Sequence, residues 1–95
     1  LNRNNLVIDK MIISRGGITG TVIDVRIIMK MALECLACSI ILCHNHPSGN
    51  LIPSEADKEI TRKIKDAGKL FDISVLDHVI VGNNSYFSFA DEGLI

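Results

Sequence analysis

Apolar residues change their spacing along this chain, and each change marks an element. Leu6-Val7-Ile8 and Met11-Ile12-Ile13 are short apolar runs before Ser14-Arg15-Gly16-Gly17, predicting one strand or a bent pair closed by a glycine turn. Ile18 to Val22 predicts a further short strand. From Asp24 the period becomes helical. Ile28, Met31, Ala32, Cys35 and Leu36 predict an amphipathic helix over roughly 24–37 with Asp24 as its N-cap. Ile40-Ile41-Leu42-Cys43 is a continuous apolar run, as in a strand buried on both faces. Pro47 and Gly49 end it, because proline lacks a donor and glycine favours turns. Ser54-Glu55-Ala56-Asp57 has the form of a capping box. It opens a predicted helix over 54–67, with Ala56, Ile60, Ile64 and Ala67 on one stripe and Gly68 near its end. Ile73 to Val81 reads as a strand, and Gly82-Asn83-Asn84 turns it back into Tyr86-Phe87-Ser88-Phe89 as a hairpin. This alternation predicts a single α/β domain over 1–95 with a mixed sheet.

Composition narrows the function classes. A chain of 95 residues, 47% hydrophobic and 22% charged, is an ordinary globular domain with a thin stability margin. A net charge of −1 gives no basic footprint, so nothing in this chain signals direct contact with nucleic acid. No apolar run approaches the roughly 20 residues that span a bilayer, and Leu1-Asn2-Arg3-Asn4-Asn5 does not resemble a secretory signal. The chain does not begin with Met, which suggests a piece of a longer protein. Three cysteines, Cys35, Cys38 and Cys43, are an odd count without a signal peptide, which argues against a disulfide framework, and Cys35-x-x-Cys38, readable as half of a metal knuckle or a redox pair, has no second such pair. They are expected to be buried, inert thiols in a reducing, cytoplasmic compartment. Exposed sheet edges would favour self-association.

The chemistry concentrates where the apolar strand ends. In extended chain, residues i and i+2 share a face, so His44 and His46 can converge on one point. Asp57 follows just inside the next helix and can close a third side. Three nitrogen and oxygen ligands with a fourth position open is the pattern of a catalytic rather than a structural zinc site. Each residue also has a plainer reading. Asp57 is an acid in a first helical turn, stabilised by the helix dipole. Ser54 is an N-cap worth about 1 kcal/mol, or else a hydroxyl that bonds a developing oxyanion. Asn45 faces away from the two histidines. Although His44-Asn45-His46 spells out HNH, the HNH nucleases disperse those residues along a ββα-metal motif, so that reading is rejected.

The spacing His-x-His-x7-Ser-x2-Asp, from His44 to Asp57, resembles the JAMM (MPN-plus) metalloprotease motif. The fuller run His44-Asn45-His46-Pro47-Ser48-Gly49, Pro53-Ser54, Asp57, Thr61 and Leu76-Asp77-His78 resembles the RadC-like branch of that superfamily. Gly16-Gly17 through Arg26, and Ser88-Phe89 with Gly93, fit the same branch. The resemblance implies a three-layer α/β/α, cytidine-deaminase-like fold. It further implies a zinc (Zn) held by His44, His46 and Asp57, with Ser54 beside the reacting carbonyl of a peptide or protein substrate. An upstream helix-hairpin-helix segment, common in full-length relatives, is absent from these residues. The family's historical label is DNA repair.

The same resemblance exposes a gap. JAMM peptidases use an upstream Glu as general base, and its place falls around Met11 to Ile13, where this chain carries no Glu before Glu34. Asp9 and Glu34 are the nearest substitutes within the chain, and the alternative is a base from a segment outside these residues or from another subunit. Loss of a positioned base typically costs roughly 10²–10⁴-fold in rate. The leading reading is therefore a zinc-dependent hydrolase of amide or isopeptide bonds. Its rivals are a metal-holding module with weak or no catalysis, and a DNA-associated accessory protein. His78 is expected on one strand face with Leu76 and Ile80, buried with a hydrogen-bonded ring in a structural role or as support behind a metal ligand.

Overall fold

A computed structural model describes residues 1–9, 24–46 and 50–95. It contains helix α1 (Val25–Glu34), strand β1 (Ser39–Asn45), helix α2 (Glu55–Leu70), strand β2 (Ser74–Val81) and strand β3 (Tyr86–Ser88). The sheet runs β1-β2-β3, with β1 and β2 parallel and β2 and β3 antiparallel. The protein is thus α/β with a mixed sheet, and α2 is the crossover between two parallel strands. Residues 6–8 carry no strand, and the expected strands within 11–22 lie outside the described residues, as do Gly16-Gly17 and the turn at 47–49.

Both helices begin where expected. The Asp24 carboxylate accepts from the Arg26 N–H at 2.9 Å. Ser54 and Asp57 exchange reciprocal bonds, Ser54 N to Asp57 Oδ2 at 2.8 Å and Asp57 N to Ser54 Oγ at 3.0 Å, which is the predicted capping box.

The helix ends differ from expectation for one shared physical reason. α1 stops at Glu34, where Leu36 takes a left-handed φ of 53° and the Ala37 N–H reaches back to the Ala32 carbonyl at 2.9 Å. α2 runs through Gly68 to Leu70, where Asp72 takes φ 56° and the Ile73 N–H reaches the Gly68 carbonyl at 2.8 Å. Each is a Schellman closure without the glycine that usually announces it. Gly68 serves another purpose. A Cβ there would stand 2.3 Å from the Ile73 carbonyl oxygen, so its bare backbone lets the chain fold back against the helix into β2.

The core lies on one sheet face. Ile40 packs against both buried clusters: Met29, Ala32, Ala37 and Ile73, and Ile28, Ile64 and Val75. The buried face of α1 is Val25, Ile28, Met29 and Ala32, a set at i, i+3, i+4 and i+7, and so includes Met29 in place of the expected Met31. Both helices therefore cover the Ile40 face, accounting for two of the three expected layers among the described residues. The opposite face of β1 differs from the expectation of two-sided burial, since Ile41 and Cys43 are exposed. Cys35 and Cys38 are half-buried.

A bulge in β2 reshapes the site. Ile40 pairs with Val75 and Ile41 with Asp77, so Leu76 is an extra residue. The bulge moves Leu76 off the inward face and puts His78 and Ile80 on the side of Val75. The expectation that His78 shares a face with Leu76 fails here, because strict alternation does not survive a bulge. Its pairing with Ile80 and its burial hold, with only 3% of its surface exposed.

Candidate metal centre

The site forms at the carboxyl end of β1, beside the N-terminus of α2. In α/β folds this is where the ends of parallel strands open a crevice and helix N–H groups face it. The Val81 carbonyl accepts from the His46 N–H at 3.2 Å, so the ladder continues one residue beyond β1. Alternation therefore brings the rings of His44 and His46 to the same side, as predicted. Their Nε2 atoms lie 2.9 Å apart. The capping box holds Asp57 opposite them, with Oδ1 3.4 Å from His44 Nε2 and Oδ2 3.3 Å from His46 Nε2. One carboxylate thus caps α2 and stands beside both imidazole rings.

The donor set fits a cation. Ligands of a tetrahedral zinc, at about 2.0–2.1 Å from the metal, sit roughly 3.3 Å from one another. These three residues could hold a metal ion, and no other group of His, Cys, Asp or Glu among the described residues does so. Neither Cys35-x-x-Cys38, Asp9 nor Glu34 joins them. Glu34 instead pairs with Lys30 at 3.6 Å on the exposed side of α1.

Electrostatics favour the ligand forms of these groups. Burial lowers the pKa of His44, and neighbouring His46 acts the same way, with Asp57 opposing them. Burial would raise the Asp57 pKa, but the bonds from Ser54 and the adjacent His44 and His46 hold it below the usual carboxylate range. Near neutral pH the pocket therefore presents a neutral His44 and an ionised Asp57.

Ser54 stands at the mouth of this cluster, exposed and bonded to Asp57 in both directions. Its Oγ accepts from the Asp57 N–H, which leaves the hydroxyl proton as the part it can donate.

Supporting contacts surround the two rings. His46 Nδ1 lies 2.6 Å from the Asn50 carbonyl, which can only accept, so the ring proton sits there and the Nε2 lone pair faces His44 and Asp57. His44 Nδ1 lies 2.7 Å from His78 Nε2. His78 in turn stacks on Phe89, with centroids 4.6 Å apart and the rings 17° from parallel. Burial pushes the His78 pKa down to about 4, so this ring is neutral near physiological pH. Asp77, on the opposite strand face, accepts from the His78 N–H at 2.7 Å, Ser88 Oγ at 2.6 Å and the Ala90 N–H at 3.0 Å. It ties β2 to the turn after β3 and so holds Phe89 under His78. The contacts of Asn50 and Thr61 around the rings were missed from sequence. Thr61, one helical turn beyond Asp57, carried the only readable signal.

Comparison with known proteins places the chain in a family. The family model described as "RadC-like JAB domain" matches residues 1–94. A "UPF0758 protein" of Flavobacterium johnsoniae is 55% identical over 94 residues, covering 99% of this chain and 41% of the relative. One from Porphyromonas gingivalis is 47% identical over 96 residues, covering 100% of this chain and 42% of the relative. Another from Chlorobaculum tepidum is 48% identical over 95 residues, covering 100% and 43%. The chain thus spans about two fifths of the length of these relatives. Among the described residues no helix is long and apolar enough to cross a membrane. On the match over residues 1–94, the chain belongs to the RadC-like JAB domain family.

Proposed function

We propose that this domain is a zinc-dependent hydrolase of the JAMM type, acting on an amide or isopeptide bond in a peptide or protein. The observation that carries this reading is the convergence of two imidazole nitrogens and a carboxylate at 2.9–3.4 Å, beside a helix N-terminus and a serine hydroxyl. Zinc would supply the Lewis acidity that polarises an amide carbonyl and makes water nucleophilic near neutral pH. His44, His46 and Asp57 would hold it, with the capping box fixing the carboxylate. Ser54 Oγ donates its proton to the carbonyl oxygen as negative charge develops there.

A second reading has its own observation. This chain carries no Glu before Glu34, and neither Asp9 nor Glu34 joins the donor cluster. A domain that keeps the metal while turning over slowly, as a binding module, follows from that. A DNA-associated role for a longer protein has no support in this domain's charge.

Hydrolysis tests the proposal. Zinc-loaded protein is expected to cleave peptide or isopeptide-linked substrates, stop on chelation with 1,10-phenanthroline and recover with added zinc. Ser54→Ala is expected to lower turnover by roughly 10²–10³-fold, the usual cost of one oxyanion donor. Cleavage that ignores chelation would rule out metal-dependent hydrolysis. Stable zinc binding without any cleavage would favour the binding module.

A further inference from the structure

Behind His44 runs a chain of short hydrogen bonds whose direction is fixed at one end. Thr61 Oγ1 lies 2.7 Å from the Asp57 main-chain carbonyl. A carbonyl can only accept, so the single hydroxyl proton of Thr61 points to it. Thr61 Oγ1 also lies 2.6 Å from His78 Nδ1. With its proton already committed, the hydroxyl accepts there, and His78 carries its proton on Nδ1. The neutral ring then has a lone pair on Nε2. That lone pair is 2.7 Å from His44 Nδ1, which must donate. His44 is left with a bare Nε2, aimed at His46 Nε2 and Asp57.

The chain is shielded and rigid. Thr61 and His78 are 2% and 3% exposed, and the stack on Phe89, itself 1% exposed, sets the plane of the His78 ring. Water therefore has little access to rescue a misdirected proton. The two ligand rings reach the same state by separate routes: His46 directly from the Asn50 carbonyl, and His44 through two intermediaries from the Asp57 carbonyl. Two lone pairs facing each other at 2.9 Å beside a carboxylate repel one another unless a cation lies between them.

We propose that Thr61 and His78 are positioning residues, whose one-way hydrogen-bond chain from the Asp57 carbonyl sets His44 in the Nδ1–H tautomer with its Nε2 lone pair toward the metal. Asp57 then acts twice, its carboxylate as ligand and its own carbonyl as the anchor that orients the ligand opposite. The inference rests on the proposed metal reading for its purpose, but the tautomer itself can be observed without metal.

Long-range ¹H–¹⁵N NMR of zinc-free protein reads the imidazole tautomers, and chelator competition reads zinc affinity. The wild type is expected to show His44 and His78 both as Nδ1–H. Thr61→Val, which keeps the branched shape but removes the hydroxyl, is expected to break the His44 signature and weaken zinc binding by roughly 10–100-fold, the usual cost of losing an outer partner. Thr61→Ser is expected to restore both. An Nε2–H His44 in the wild type overturns the proposal with no variant needed. So does a Thr61→Val protein with an unchanged His44 signature. A wild type that takes up no zinc yet shows the Thr61-dependent tautomer supports the hydrogen-bond chain and refutes the metal reading alone.

Discussion

His44→Ala is expected to abolish tight zinc uptake and the thermal stabilisation that accompanies it. The substitution leaves two ligand residues instead of three, and it also removes the partner of His78 Nε2. The loss should exceed the roughly 10–100-fold that follows from removing an outer partner. A ligand that binds only the native state at 1,000 times its dissociation constant adds about 4 kcal/mol of stability. In a domain of this size each kcal/mol moves the melting temperature by roughly 4–8 °C. Zinc should therefore raise the wild-type Tm by roughly 15–30 °C and leave that of His44→Ala unmoved. Calorimetric titration and thermal melts with and without zinc check this together. A variant that still melts higher with zinc would place the metal elsewhere.

Ile12→Glu in zinc-loaded protein is expected to raise the rate of amide or isopeptide hydrolysis by roughly 10²–10⁴-fold, the usual contribution of a positioned general base. The expectation comes from sequence. Met11-Ile12-Ile13 stands where the resembled peptidases carry their Glu, and position 12 lies outside the described residues. Initial rates on one isopeptide-linked substrate, compared at equal zinc occupancy, give the answer. A wild type already as fast as the variant shows that another group takes the proton. A rate that rises only in Ile12→Glu shows that these 95 residues supply no general base of their own and favours the metal-holding module for this stretch of chain.

Much of this site was readable before the fold was known, and the reasons are local. The period of a strand alone places His44 and His46 on one side. The capping box alone places Asp57 in the first turn of α2, with its carboxylate tied to Ser54. What escaped was longer in range or unsignalled. Both helix ends close on a left-handed residue: Leu36, which carries no sequence mark of that conformation, and Asp72, which tolerates it but is not the glycine that usually announces it. The Leu76 bulge turns the His78 face, and no alternation rule anticipates an inserted residue. The link from Thr61 to His78 joins α2 to β2 across 17 residues, so it exists only once the crossover has packed.

Zinc K-edge X-ray absorption of the loaded protein decides whether these three residues hold the metal. A four-coordinate site is expected, with two imidazole nitrogens and carboxylate oxygen at roughly 2.0–2.2 Å, completed by a light solvent atom. Scattering from sulfur at about 2.3 Å would assign the metal to the cysteines and rule out the site of His44, His46 and Asp57.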